Sequence, residues 1–282
     1  MPHLSELQKK HAKDGVTIIG VSREDASNSL DQVKEMTAEK GEIMAYTVAW
    51  DDGGQTYKAF MDASGSRGIP TSFVVDGEGK IAYIGHPYFL DIPLARIAAG
   101  TWDAVEGPKE MAEMRKAMSA VGRYGMATTV KEAKALLAKV NDFKKRWPEY
   151  AESMVANEYD LLVLAMEHDK ASALGSKMVN QAIKAKDVGA LNSLAWGIVD
   201  PEKEATHPDI ALALYAATAA CNLTEYKDAA ILDTLARAHY MMGGTVRAIQ
   251  LQRLAVELAV ASGSPLATSL EDALDEYLGT DG

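Results

Sequence analysis

The chain has 282 residues, 48% hydrophobic and 24% charged, with a net charge of -11. That length suits two ordinary globular domains, and that balance of apolar and charged residues excludes a chain disordered throughout. The acidic charge argues against nucleic-acid and anionic-membrane partners, where a cationic face supplies most of the affinity, and no apolar run approaches the ~20 residues needed to span a bilayer.

The first hundred residues alternate helical and strand-like patterns. Ser5 to Lys13 reads as a charged helix that Asp14-Gly15 stops. Val16 to Ser22 is a continuous β-branched run, the pattern of a strand buried on both faces. Ser27 to Gly41 reads as a helix capped by Ser27, with Leu30, Val33 and Met36-Thr37 as its apolar stripe and Gly41 as its stop. Tyr46 to Trp50 is a second strand, closed by Asp51-Asp52-Gly53-Gly54, and Gln55 to Ala63 a short helix. Gly68-Ile69-Pro70-Thr71 then leads into Ser72–Val75, the turn Asp76–Gly79 and Lys80–Gly85, which together predict a β-hairpin. Pro70 stands at its mouth, where a missing N–H is tolerated. Leu90 to Ala99 is the last helix of this part.

Beyond Gly100 the strand signals vanish. Asp103 to Lys109, with Gly107-Pro108, reads as a linker, so that residues 1–102 form one domain, 103–110 join it to the next, and 111–282 form an all-α domain. Part of the latter repeats. Leu191-Asn192-Ser193-Leu194-Ala195-Trp196 returns as Leu232-Asp233-Thr234-Leu235-Ala236-Arg237, and Ala213 to Leu223 as Ala248 to Leu258. A period of roughly 35–40 residues fits helix-pair solenoids of the TPR type. A weaker copy starts at Leu161–Ala165, and the unit holding Asp200 to Asp209 has a longer turn.

Residues that could carry chemistry are sparse. The single cysteine, Cys221, allows neither an internal disulfide nor two-thiol catalysis, and its apolar setting predicts a small buried hydrophobe. The histidines (His3, His11, His86, His168, His207, His239) show no metal-ligand spacing, and His3, His11 and His86 read as surface residues. Gly53-Gly54 and Gly77-x-Gly79 read as turns rather than phosphate loops, and Asp51-Asp52 as a turn and cap. The acidic end, Glu271-Asp272 and Asp275-Glu276, reads as a solvated helix face. Trp196, Tyr215, Tyr226, Tyr240 and Met241-Met242 suit a packed helical core, with a peptide-binding concavity as the alternative. No cofactor is called for.

Taken in order, Pro2-His3-Leu4 and Leu7, Val16–Ser22, the extra helix and strand up to Trp50-Asp51, Gly68–Asp76 and Gly79-Lys80-Ile81 resemble the C-terminal three-quarters of a thioredoxin fold. The likeness is to TlpA/ResA-like thiol–disulfide oxidoreductases of the bacterial redoxin (AhpC/TSA) superfamily, some of which carry a TPR-bearing tail. It implies an α/β thioredoxin-like domain, lacking its first strand and Cys-x-x-Cys, followed by an all-α TPR-like helical-repeat domain. It also implies that a strand and a Trp-Cys-x-x-Cys motif stand upstream of Met1, which then reads as an interior methionine. Without that strand, the resemblance implies either a loosely held sheet or a longer natural protein.

By the same resemblance no catalytic residue lies in this chain, and Gly68, Ile69, Pro70 and Thr71 are the substrate-binding residues. Pro70 would be cis, and Ile69 would offer its backbone to an extended protein or peptide substrate. The helical domain would hold a protein partner. The family works outside the cytoplasm, although the first residues do not have the form of a signal peptide. Disulfide exchange needs an attacking and a resolving thiol, so the chain as it stands is expected to be redox-inert. The other readings are a non-catalytic peptide-binding module and a fragment of a peroxiredoxin-type peroxidase.

Overall fold

The computed structural model of the chain describes residues 2–122, 127–202 and 209–279. Met1, His207 and most of the Asp200–Asp209 turn lie outside them. The chain divides into two compact units, Met1–Gly122 with Asn141–Ser153, and Arg123–Val140 with Met154–Gly282.

The first unit opens with α1 (Pro2–His11), which ends where Gly15 takes a φ of 78°. Gln8 ties α1 to the next segment: its side chain accepts from Ile18 N–H at 2.6 Å and donates to the Val16 carbonyl at 2.9 Å. With those groups already bonded, strand β1 is confined to Ile19–Ser22. It pairs in parallel with β2 (Thr47–Trp50), Ile19 opposite Thr47 and Ser22 opposite Trp50. Contrary to the two-sided burial expected, Ile19 and Val21 are 55% and 50% exposed. Among the described residues β1 has only β2 beside it, and a two-stranded ribbon leaves part of each strand uncovered.

Helix α2 (Leu30–Lys40) starts at Ser29 rather than Ser27. Ser29 and Gln32 form a reciprocal capping box, while the Ser27 N–H is bound by Asp25. Val33 is buried from its stripe, whereas Leu30 stays 38% exposed. A short helix, α3 (Gln55–Tyr57), continues into a π-turn over Lys58–Asp62. Then β3 (Ser72–Val75) and β4 (Ile81–Gly85) form an antiparallel hairpin with a bulge at Val74/Val75. Its turn is held by Asp76 Oδ1, which accepts from the N–H groups of Glu78 and Lys80. Trp102 covers the hairpin, donating from Nε1 to the Ala82 carbonyl at 3.0 Å and meeting the Tyr83 ring edge-on.

After α4 (Asp91–Ala98), the segment expected as a linker is largely helix, because α5 runs Glu106–Gly122. Asp103 Oδ1 accepts from the N–H groups of Val105 and Glu106, and Pro108 falls in the first turn, where its missing N–H costs nothing. Gly107 is required there, since a Cβ would lie 2.6 Å from the Trp102 ring. The core of this unit includes Leu7, Met61, Ile92, Leu94, Met111 and Met114. It is completed by Phe143 and Trp147 from the end of α6 (Val130–Arg146) and by Tyr150 against Phe89.

The second unit is helical: α7 (Val155–Leu164), α8 (His168–Ala185), α9 (Val188–Val199), α10 (Ile210–Leu223), α11 (Ala229–Met241), α12 (Thr245–Ser262) and α13 (Ala267–Leu278). Both copies of the leucine motif fall on equivalent helices, Leu191 and Ala195 on α9 and Leu232 and Ala236 on α11, all fully buried. The alanine copies fall on α10 and α12, where Ala213, Ala216, Ala217 and Ala220, and Ala248, Ala255 and Ala259, are fully buried. Small side chains let neighbouring helices approach closely; Gly175 on α8 takes this furthest, facing Leu212 of α10 and Tyr159 of α7. Aspartates start three of these helices, with Asp187, Asp209 and Asp228 accepting from first-turn N–H groups. Among the described residues, no helix is long and apolar enough to cross a membrane.

Candidate functional site

The tetrapeptide Gly68–Thr71 forms an exposed turn between the helical segment ending at Ser64 and the first residue of β3. Thr71 Oγ1 donates to the Gly68 carbonyl at 2.6 Å, closing the turn on itself and bringing the two ends of the candidate site together. Ile69, between them, is 79% exposed, and the Ile69–Pro70 peptide is cis. Among the described residues, neither the N–H nor the C=O of Ile69 has a backbone partner. Behind the turn Phe73 is fixed by Phe60, ring centroids 5.2 Å apart and nearly perpendicular. Along β3 and β4, Val75, Ile81 and Ile84 are 47%, 48% and 42% exposed. Among the described residues the site is therefore a turn closed by one side-chain bond that presents the unpaired backbone and the apolar side chain of Ile69 to solvent.

No thiol stands near it in sequence. Cys221 lies in α10, fully buried, its Sγ 3.7 Å from the Ile231 carbonyl. Burial, with the Asp228 carboxylate adding to it, pushes its thiol up to about 12, so at neutral pH it is not a thiolate.

The other candidates resolve into structural roles, some different from those expected. His11 is buried rather than at the surface, its Nδ1 2.9 Å from Asp14 Oδ2. His3 links α1 to α4 through Asp91 Oδ2 at 2.8 Å, and His86 Nδ1 accepts from the Tyr88 N–H. Asp51 is the cap of α3: its two oxygens accept from Thr56 and Tyr57 N–H groups, which hold its carboxyl below the usual carboxylate range. Gly53, Gly54 and Gly79 occupy turns at positive φ. Among the described residues no group of three or more His, Cys, Asp or Glu is placed to hold a metal ion.

In the helical unit, Tyr215, Met241 and Met242 are 47%, 41% and 57% exposed, so the expected core role does not apply to them. The Tyr215 hydroxyl, on α10, donates to Asn180 of α8. Trp196, Tyr226 and Tyr240 are half-buried. The acidic end is not wholly solvated either, since Glu276 pairs with Arg237 at 2.5 Å.

Residues 1–84 match the AhpC/TSA family. The AhpC/TSA match thus contains Gly68–Thr71 and all but the last residue of the hairpin. Over 110 residues the chain is also 32% identical to Protein FixW of Rhizobium leguminosarum, an alignment covering 36% of this chain and 50% of that protein. The chain accordingly spans about half the length of this curated relative. No solved structure matches it.

Proposed function

We propose that the AhpC/TSA-matching part belongs to thiol–disulfide exchange of the TlpA/ResA-like kind, acting on protein disulfides, and that in these residues it supplies the docking turn for the substrate rather than the reacting sulfur. The TPR-like helical repeats would hold a protein partner. One observation carries this reading: among the described residues of the matched segment, Ile69 is the most exposed large apolar residue, and neither its backbone N–H nor its C=O has a backbone partner.

An extended substrate recognised there gains main-chain hydrogen bonds of the strand-addition type. Pro70 has no N–H and can only accept, so of the pair Ile69 is the residue that offers both a donor and an acceptor. The Thr71–Gly68 bond holds the turn in place while the substrate pairs, and Ile69 covers an apolar substrate side chain. Exchange itself requires an attacking thiolate and a resolving thiol. The single thiol here is buried and protonated, so these residues bind and orient and do not transfer electrons.

The test is binding of a short disulfide-linked peptide in extended conformation, followed by calorimetry. Ile69→Ala keeps the N–H and C=O and is expected to bind within about threefold of the wild type, whereas Ile69→Pro removes the N–H and is expected to lose about tenfold, the equivalent of one net hydrogen bond. Equal binding by Ile69→Pro and wild type would overturn the docking role.

A further inference from the structure

Between α11, α12 and α13 the second unit buries a polar cluster. Gln252 on α12 is fully buried and donates from Nε2 to Asp233 Oδ1 on α11 at 2.8 Å and to the Leu270 carbonyl on α13 at 3.0 Å. One turn further along α11, Arg237 reaches Glu276 Oε2 on α13 at 2.5 Å. Tyr240 of α11 stacks on Tyr277 of α13, centroids 4.4 Å apart. The seat of α13 is thus made across polar groups as well as through buried Leu270 and Tyr277.

The cluster is not balanced. Among the described residues Gln252 Oε1 is buried with no hydrogen-bond partner. That oxygen can only accept, so what it lacks is a donor. The repeat shows where the cluster arose: Asp233 and Arg237 occupy the positions of Asn192 and Trp196 in the preceding copy.

We propose that α13 is a proton-linked latch, seated more tightly on α11 and α12 when the Asp233 carboxyl carries a proton and more loosely when it does not. A neutral carboxyl still accepts from Gln252 Nε2 and adds an O–H donor beside the unpaired Gln252 Oε1; the proton comes from solvent and returns to it. Burial pushes the Asp233 carboxyl above the usual carboxylate range, against the opposing pull of Gln252 and Arg237. The latched state therefore binds the proton more tightly than the opened one. Its advantage is complete below the ordinary carboxylate pKa and fades as pH rises through the raised value.

The groups that act on this carboxyl are few. Arg237 lies on its own helix and Tyr277 comes from α13, where Glu276 is engaged by Arg237 instead. From α12 the contact is neutral Gln252, its neighbour Arg253 being exposed. Helix α9 has no ionisable side chain, and on α10 Tyr215 is exposed and Cys221 is coupled to Asp228 instead.

Hydrogen exchange of the α13 amides on the full chain, corrected for intrinsic rates, tests the latch. In the wild type, exchange is expected to be roughly three- to tenfold slower at about pH 5 than at about pH 7.5. Asp233→Asn, which cannot titrate, is expected to abolish that difference. Glu276→Gln, which breaks the ion pair with Arg237, is expected to speed exchange at both pH values and keep their ratio. A flat wild-type profile, a full pH dependence in Asp233→Asn, or its loss in Glu276→Gln would each overturn the proposal.

Discussion

Trp147→Ala is expected to destabilise the first unit by about 3–5 kcal/mol, the range for removing a buried aromatic side chain. Trp147 is 2% exposed and packs against Phe143, ring centroids 5.2 Å apart, with the Arg146 guanidinium 4.3 Å over its ring. Its neighbours are tied in as well. Glu110 accepts from both nitrogens of Arg96, which holds its carboxyl below the usual range with help from Trp147. Little inside this unit makes up for the loss. Among the described residues each of its two sheets has two strands and so two unpaired outer edges, and Ile19 and Val21 give up much of the burial their side chains could supply. A domain with about 5–15 kcal/mol in total loses a substantial share of its margin this way. Urea denaturation followed by hydrogen exchange in β1–β4 and α4 reads the effect; a shift below about 1 kcal/mol would show that Trp147 does not anchor this core.

The second large effect belongs to the repeat. Leu191→Ala and Leu232→Ala are each expected to cost about 2–5 kcal/mol, the range for truncating a fully packed leucine. Both side chains are 0% exposed, on α9 and α11, and the helices α10 and α12 bury mostly alanines. The two losses are expected to agree within about 1 kcal/mol if the motif copies are structurally equivalent, because the cost depends on how well each site collapses. Hydrogen exchange within α9–α12 measures both. A severe loss at one position and a negligible one at the other would deny the equivalence.

Much of this was legible in the residues because the signals were local. The hairpin followed from Asp76–Gly79 between two β-branched runs, the end of α1 from Asp14-Gly15, and the buried faces of α9–α12 from leucines and alanines at helical spacing. What the residues concealed depended on partners distant in sequence. A β-branched run is the same whether one strand or two lie beside it, so the exposure of Ile19 and Val21 could not be read from Val16–Ser22. Gly107-Pro108 signals a break, yet Asp103 as a cap makes the same pair a helix start. The cap of α2 moved two residues because Gln32 lies three beyond Ser29, a capping-box spacing that was present in the sequence.

At the candidate site the tetrapeptide Gly68–Thr71 stood out for its proline before a strand, but the closure of Thr71 on Gly68 and the exposure of Ile69 needed coordinates. The buried polar cluster left a fainter trace. Asn192 and Trp196 become Asp233 and Arg237 in the second copy, an exchange that places charge on a helix otherwise full of buried apolar positions. Only the packing of α13 shows that those charges face inward.

Catalysed reduction of insulin disulfides by dithiothreitol, followed on this chain, bears on the whole reading. A docking turn with no reactive sulfur predicts a rate equal to dithiothreitol alone, unchanged by Cys221→Ser because that thiol is buried and protonated. Turnover above that background, and most plainly turnover that Cys221→Ser removes, would contradict it.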